Sequence, residues 1–329
     1  MIDMLPDELQ TEIAAVADRM AASIAGMSAV NVASTKWREL ADVGVFGVGL
    51  AETVGGAGGG ARAEVLVCER FGVHLAPVGI VAAIVAAHAL TNADNPAAAD
   101  VLAGTRRVAL AVRAEGAVIA IDADPGDDGL IVLIDGEVVS IHHANGSIQR
   151  DSTDAGTVLS TVDIEDADTA DPSGAAAARA RLLLAAMAVG VSICARDRAV
   201  DYAKNRRQFS KPIGTFQAIK HRCVDMATRT EAALALVRLT AMRLDDGDLD
   251  AAAVAAANGL AMEAARRNAA AAIQVHGGIG FTAEAGIDRL LHRAWLLDNL
   301  SGTAAAQFES VLQRSLQHNH QRSYQGATP

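Results

Sequence analysis

The chain has 329 residues, 51% of them hydrophobic and 20% charged, which is enough to bury a large core in two or three packed layers or subdomains. Its 28 basic and 39 acidic residues leave a formal charge of −11. No basic run exceeds pairs such as Arg106-Arg107 and Arg206-Arg207, which excludes a surface that tracks a nucleic-acid backbone. Aromatic residues make up only 3% while alanine recurs in long runs, so the core is expected to consist of closely approaching helices with small side chains at their contacts.

The start of the chain, residues 1–9, lacks the basic and apolar regions of a signal peptide. The apolar stretches at 78–87 and 182–195 are short for a bilayer, so a cytoplasmic protein is expected. From Pro6 to about Gly104 the pattern is helical, with Leu9, Ile13, Val16 and Met20 at three- and four-residue steps and Trp37, Leu40 and Val43 likewise. Residues 50–60 break it. Their run Gly55-Gly56-Ala57-Gly58-Gly59-Gly60 is not followed by Gly-Lys-Ser/Thr and has no strong strand before it, so it reads as a turn between helices rather than a phosphate cradle.

From Arg107 to about Asp163 the period shortens to apolar runs at 108–112, 117–121, 130–134 and 138–141. Turn segments at 124–129 and at Asp135-Gly136 separate them, which predicts a small antiparallel β domain. The acidic residues 163–171, ending in Asp171-Pro172-Ser173-Gly174, read as a linker. Helical patterning then returns, with breaks near 205–215, 245–248, 276–282 and 298–302, which predicts four long helices and a shorter one. Cys68, Cys194 and Cys223 are odd in number and widely spaced, as expected of reduced, buried thiols. His142, His143 and His276 lack ligand spacing, so no metal site is expected. Met187, Met226 and Met242 read as core, and the tail after Gln317 as frayed.

Three motifs go further. Trp37-Arg38-Glu39-Leu40-Ala41-Asp42-Val43-Gly44-Val45-Phe46-Gly47 with Glu52 and Gly55-Gly56, Arg206-Arg207-Gln208-Phe209-Ser210-Lys211-Pro212-Ile213, and Gln274-Val275-His276-Gly277-Gly278-Ile279-Gly280-Phe281-Thr282 followed by Ser301-Gly302-Thr303 resemble the acyl-CoA dehydrogenase family. The resemblance implies an α+β fold with an N-terminal helical domain (1–104), a reduced antiparallel β domain and linker (105–172) and a C-terminal helical bundle (173–329). It also implies FAD shared between two subunits. Arg206 would fork onto the diphosphate of a neighbour's FAD, Phe209 would pack on that cofactor, Gln217 would bond near its adenine side, and Gln274 with Gly277 and Gly278 would let backbone approach it. Thr303 and Gln307 match positions that touch the FAD of the same chain. Gly277-Gly278 has an alternative reading as a plain turn between helices.

Departures from the family pattern are as informative. Ser210 stands where the family has glycine, the β domain has no tryptophan, and Ala111-Val112-Arg113-Ala114-Glu115-Gly116 stands where a Ser-Asp segment should cover the flavin. Dehydrogenation needs a carboxylate to take the α proton. At the two positions where the family carries that glutamate, this chain has Ser301 and Ala180; Asp298 is the nearest acidic substitute in sequence. The resemblance therefore points to the smaller, base-lacking subunit of a heteromeric actinobacterial enzyme of the kind that acts on CoA thioesters of steroids. The expected partners are a larger catalytic subunit in an α2β2 tetramer, an acyl-CoA and an electron-transferring flavoprotein. A self-sufficient homo-oligomeric dehydrogenase with a relocated base is the alternative, and a non-redox scaffold or acyl-CoA binding protein the third.

Overall fold

A computed structural model describes residues 8–123 and 129–325, with side chains as far as Leu316. All but the last residue of the expected turn at 124–129, the chain start before Glu8 and the last four residues lie outside the described residues. Helices α1 (Glu8–Ser23), α2 (Ser34–Asp42), α3 (Gly60–Val73), α4 (Gly79–Asn92) and α5 (Ala97–Leu102) come first. Six strands follow: β1 (Val108–Ala114), β2 (Ala117–Ile121), β3 (Leu130–Asp135), β4 (Val138–Arg150), β5 (Leu159–Ile164) and β6 (Thr169–Asp171). Then come α6 (Ala175–Asn205), the short hairpin β7 (Arg207–Gln208) and β8 (Lys211–Pro212), α7 (Gln217–Asp245), α8 (Ala251–His276), α9 (Asp288–Leu300) and α10 (Ala304–Gln325). The fold is the expected α+β arrangement of an N-terminal helical part, a small sheet and a C-terminal bundle. That bundle has four long helices, α6, α7, α8 and α10, and a shorter α9.

Several local expectations are corrected. The stripe from Leu9 to Met20 is only half-buried and Leu9 is 62% exposed, because α1 turns Ala17 and Ala21 to the core instead; Val43 is also exposed. The sheet is not purely antiparallel. β1 pairs with β2 antiparallel but with β3 parallel, so β2 and β3 lie on opposite sides of β1. The acidic stretch taken as a linker contains the end of β5 and all of β6, which pairs with Val139–Ile141 of β4. Backbone pairing there overrides a composition that reads as loop. The helix α10 runs past Gln317 to Gln325.

Strand pairing closes on itself. β4 pairs with β3 through its first half and, after a bulge between Ala144 and Ser147, with β5 through its second, giving a ring β3-β1-β2-β5-β4 with β6 as an outer strand. Small side chains, Ala109, Ala111 and Ala120, fill the inside of the ring with Val118, Ile131, Leu133 and Val162. The opposite residues of β1 and β3, including Val108, Leu110, Leu130 and Val132, join the main helical core. Both faces of these strands are buried, which is why they read as continuous apolar runs.

The main core is organised around α6. It is the one described helix long and apolar enough to cross a membrane, yet 78% of its apolar window is buried inside the protein, as befits a central bundle helix. At its crossing with α3, backbone meets backbone. A Cβ at Gly190 would lie 2.1 Å from the Glu69 carbonyl oxygen, and one at Gly72 would lie 2.1 Å from that of Met187. In the bundle, Asn268 of α8 donates to Ser192 Oγ (2.7 Å), Thr230 Oγ1 (2.9 Å) and the Met226 carbonyl (2.9 Å), which locks the register of α6, α7 and α8 with a fully partnered polar group. The glycine run before α3 is the turn expected. The N-terminus of α3 is occupied by the chain's own anion, with Ala61 N–H donating to Asp245 Oδ1 (2.6 Å) and Arg62 N–H to Asp245 Oδ2 (3.2 Å).

One buried cation joins all three parts. Arg293 of α9 is 1% exposed; its Nε donates to Asp154 Oδ2 (2.5 Å) in the β4–β5 connection, and its Nη1 donates to the Ala76 carbonyl (2.6 Å) between α3 and α4. Burial pushes the Asp154 carboxyl up, but the Arg293 charge and the hydrogen bonds from Arg293, Gly156 and Thr157 outweigh it and hold the carboxyl below its usual range. Nearby, Asp122 accepts from Val158 N–H (3.0 Å) and has no comparable cation in contact among the described residues. Burial pushes it up to about 6, against the partial relief of backbone hydrogen bonds and the more distant Arg293.

Two consequences can be measured. Gly190→Ala should destabilise the fold by about 3 kcal/mol in urea unfolding, since the added carbon has only backbone to displace; a loss below about 1 kcal/mol would contradict the crossing. For Asp122, the folded state holds a proton that the unfolded chain has already released between its usual pKa of 3.8 and about 6. Its contribution to stability is therefore present at low pH and falls as pH rises through that window. The stability of Asp122→Asn relative to wild type should improve by about 2–3 kcal/mol between pH 3.5 and pH 7, and a pH-independent difference would show that Asp122 is not so buried.

Candidate functional site

Two separate surfaces carry the residues singled out from the sequence. The first lies where α6 ends, α7 begins and α8 ends, held together by Tyr202 of α6 stacked on His276 of α8 (ring centroids 4.2 Å). The Nδ1–H of His276 donates to the Ala272 carbonyl (2.8 Å), and burial holds its pKa below the ordinary value, so the ring is a neutral structural element and no ligand.

On this platform the hairpin β7–β8 turns through Phe209 (φ 51°) and Ser210 (φ 65°), both in the left-handed region. That geometry suits Asn-Gly or Gly-Gly and is strained for a phenylalanine followed by a serine. The departure at Ser210 thus falls at a position whose backbone favours glycine. The strained turn presents Phe209 at 85% exposure, with its ring in a T-shaped contact with Phe216 (ring centroids 6.1 Å). Arg207 braces the turn through the Ser210 carbonyl (2.7 Å), whereas the exposed Arg206 guanidinium makes no hydrogen bond or ion pair with any described residue.

Gln217 is the exposed first residue of α7, and Gln274 is exposed in the last turn of α8. Gln274 lines a groove of about 580 Å³ with Ala218, Arg222, Arg229 and Arg267. Gly277 ends α8 at φ 68°, ψ −144°, a conformation open only to glycine. The helix-ending role read as the plain alternative is therefore real for Gly277. It does not account for Gly278, where an added Cβ would meet nothing within 4 Å: nothing inside the chain demands a glycine there.

The second surface is a cleft of about 590 Å³ between the sheet and α9 and α10. Ser301 caps α9 at its edge, 4% exposed, with its hydroxyl turned onto the Asp298 carbonyl (3.3 Å). Gln307 clamps this turn, its Nε2 donating to the Ser301 carbonyl (2.7 Å) and the Gly302 carbonyl (3.0 Å). Thr303 is exposed and accepts from Ala306 N–H (3.3 Å), which starts α10. None of Arg206, Phe209, Gln217, Gln274, Gly277 or Gly278 lines this cleft.

A general base is missing from it among the described residues. Ala180 is fully buried in α6 and does not reach the cleft; its neighbour Arg181 does. Asp298 is 1% exposed, accepts from Ala304 N–H (2.7 Å) and pairs with Arg266 (3.4 Å), so it is a buried helix cap and not a substitute base. The cleft's own carboxylates are Asp135, paired with Arg113 (2.8 Å), and Asp154, held by Arg293. Both are engaged by an arginine. Cys68 is buried and Cys194 and Cys223 half-buried; burial raises all three thiols, so no thiolate nucleophile is offered. No cluster of three potential metal ligands occurs among the described residues.

Sequence reasoning did not find Arg113, Arg181, Trp295 or Asn299 in this cleft. The signal available was α9 spacing: Trp295, Leu296, Asn299 and Leu300 fall on one helical face leading to Ser301.

Comparison with known proteins fits this geometry. The acyl-CoA dehydrogenase N-terminal domain matches residues 1–97 and the acyl-CoA dehydrogenase C-terminal domain residues 174–316. The chain is 30% identical over 302 residues to acyl-CoA dehydrogenase IpdE2 of Mycobacterium tuberculosis, covering 85% of this chain and 89% of that protein. A 39% identity to the probable acyl-CoA dehydrogenase YngJ of Bacillus subtilis extends over only 39% of this chain and 33% of YngJ. Among solved structures, a variant of the Tcur3481-Tcur3483 steroid acyl-CoA dehydrogenase superposes with a TM-score of 0.82 at 24% identity, over 95% of this chain and 99% of that one. The ChsE4-ChsE5 complex of Mycobacterium tuberculosis superposes at 0.78 and 20% identity over the whole of both chains, a likeness of fold. By sequence match over nearly its full length and by fold, the chain belongs to the acyl-CoA dehydrogenase family.

Proposed function

We propose that this chain is a base-lacking subunit of a heteromeric, FAD-dependent acyl-CoA dehydrogenase and completes the FAD site of a catalytic partner. The observation that carries the reading is the contrast between the two surfaces. Arg206 stands unpaired beside an 85%-exposed Phe209 on a strained hairpin, with an open backbone approach at Gly278, while every carboxylate lining the chain's own cleft is already engaged. Strain and exposed aromatic surface persist where an external group uses them.

The arrangement suits FAD. The Arg206 guanidinium would give forked, charge-assisted contacts to a diphosphate, Phe209 a face for packing, Gln217 and Gln274 amide contacts near the adenine, and Gly277-Gly278 a close backbone approach. Bound FAD supplies the acceptor for hydride from the acyl β carbon. The partner's carboxylate takes the α proton, a role that Ser301 cannot fill unaided near neutral pH. Support for a heteromer comes also from the names of the structural neighbours, a ChsE4-ChsE5 complex and a Tcur3481-Tcur3483 steroid enzyme. We extend that analogy to a steroid-derived CoA thioester as substrate class and an α2β2 assembly, with electrons passed on to an electron-transferring flavoprotein.

The test is the visible spectrum and light-scattering mass of the chain alone and co-expressed with its partner dehydrogenase. Flavin absorbance confined to the complex is expected, and stoichiometric FAD in the chain alone that bleaches with an acyl-CoA would instead establish the self-sufficient enzyme. In the complex, Arg206→Ala should weaken FAD retention about 10- to 100-fold without changing the assembled mass. Ser301→Glu in the chain alone should yield no acyl-CoA oxidation, because the segment from Val112 to Ala114 brings no hydroxyl or Ser-Asp pair to the cleft; measurable turnover would overturn the reading that the chain lacks the flavin-covering segment as well as the base.

A further inference from the structure

A serine and a histidine of the sheet lie apart from both candidate surfaces and are arranged for more than packing. Ser140 and His142 are two residues apart on β4, so both side chains stand on one face of the strand, opposite Leu133 and Ile131 of β3. Leu133 and Ile131 belong to the filling of the strand ring. His142 is 6% exposed, whereas Ser140 is half-buried and has an exposed alanine, Ala170 of β6, as its partner on the other side. The imidazole is thus withheld from water, while the hydroxyl sits at the open margin of the ring beside a side chain too small to cover it.

Hydrogen bonding fixes how the pair works. His142 Nδ1 lies 2.8 Å from the Glu165 carbonyl oxygen, which can only accept, so Nδ1 carries the hydrogen. In the neutral ring Nε2 is then an acceptor, and the Ser140 hydroxyl donates to it over 2.7 Å. The carbonyl that imposes this tautomer is itself held. Glu165 N–H donates to the His143 carbonyl (3.2 Å), Asp168 N–H donates to the Ile141 carbonyl (2.9 Å), and His143 Nε2 lies 3.0 Å from Asp168 Oδ2. A hydroxyl nucleophile, a base and an orienting group are therefore in contact in that order, the arrangement that activates a serine. A pair that only satisfied a buried imidazole would need none of the opening at Ser140.

We propose that Ser140 is an acyl-accepting nucleophile with His142 as its general base, and that the chain hydrolyses activated esters at this margin of the sheet. Ser140 Oγ attacks the carbonyl carbon of the ester while His142 Nε2 takes the hydroxyl proton. The bond to the leaving oxygen then breaks, that oxygen departs with the bonding pair and receives the proton from Nε2, and an acyl-serine remains. Water, giving its proton to the same Nε2, cleaves the acyl-serine to the free acid and restores the hydroxyl. Ser140 lies within the ladder between β3 and β6, so its own N–H is committed to backbone pairing and does not stabilise the oxyanion. The substrate class is accordingly acyl donors with a good leaving group. The inference is independent of the partner-completing reading, since both residues and the carbonyl that orients them belong to one chain.

The test uses the full chain alone with p-nitrophenyl acetate, following release of nitrophenolate together with the mass of the protein and of its peptides. A first-turnover phase is expected, with the gain of one acetyl group on the peptide that contains Ser140. Ser140→Ala should abolish that adduct, and Ser140→Cys, which keeps a nucleophile in place, should retain acylation. His142→Gln, which offers an amide to the Glu165 carbonyl but no base, should slow acylation about 100-fold or more. Thermal unfolding of each variant is measured alongside, and the cysteine variant keeps the outcome decisive if His142→Gln does not fold. Absence of acetyl at Ser140, acetyl found only on lysines, or equal rates in wild type and a folded His142→Gln overturns the proposal.

Discussion

The structure depends on the placement of Arg293. One guanidinium, removed from water, bonds to a carboxylate in the sheet part and to a carbonyl in the N-terminal helices, from a helix of the bundle. A buried pair of this kind adds little to stability over a well-packed apolar alternative, but removing one partner leaves a buried charge and is costly. Its value is geometric. It sets α9 against the sheet, and α9 carries Trp295, Asn299 and the turn at Ser301 that form one wall of the cleft. Asp122, close by with no cation of its own, makes the same junction sensitive to acid in the opposite sense from Asp154.

The two candidate surfaces obey opposite rules. In the cleft, polar groups are satisfied internally: Gln307 clamps the Ser301 turn, Asp298 caps α10, and the arginines each hold a carboxylate or carbonyl. At the hairpin and the end of α8, groups are left unsatisfied: a bare guanidinium, an exposed phenyl ring and a glycine with empty space above it. A residue with no job in its own chain is informative about what lies outside it. Strain at Phe209 and Ser210 reinforces the point, since a left-handed phenylalanine is retained against a local preference.

Much of this was legible in the sequence because it rests on local signals. The bundle's helix count followed from breaks at residues 205–215, 245–248, 276–282 and 298–302, where polar and glycine-rich stretches interrupt apolar periodicity. The candidate residues on the hairpin and at the end of α8 are an expectation carried by motif resemblance alone. What escaped was non-local. The parallel pairing of β1 with β3 joins strands that no local pattern links, and β6 owes its existence to a free stretch of β4 and not to its own acidic composition. The exposure of Leu9 follows from how α1 meets its neighbours through Ala17 and Ala21, which a hydrophobicity pattern ranks below Leu and Ile. Asp298 looked available in sequence, and only the fold shows its carboxylate committed to Ala304 and Arg266.

The closed strand ring has a consequence for assembly. An open sheet offers a row of unpaired backbone donors and acceptors to any passing strand, and recognition by strand addition is undemanding of side chains. Here β1 to β5 each have neighbours on both sides along the ring, and among the described residues the only outer strand, β6, is three residues long. The described strands of the middle part are therefore mute toward other backbones. An association made by the described residues must be specified by side chains, so partner choice is written in residues that substitution can change one at a time.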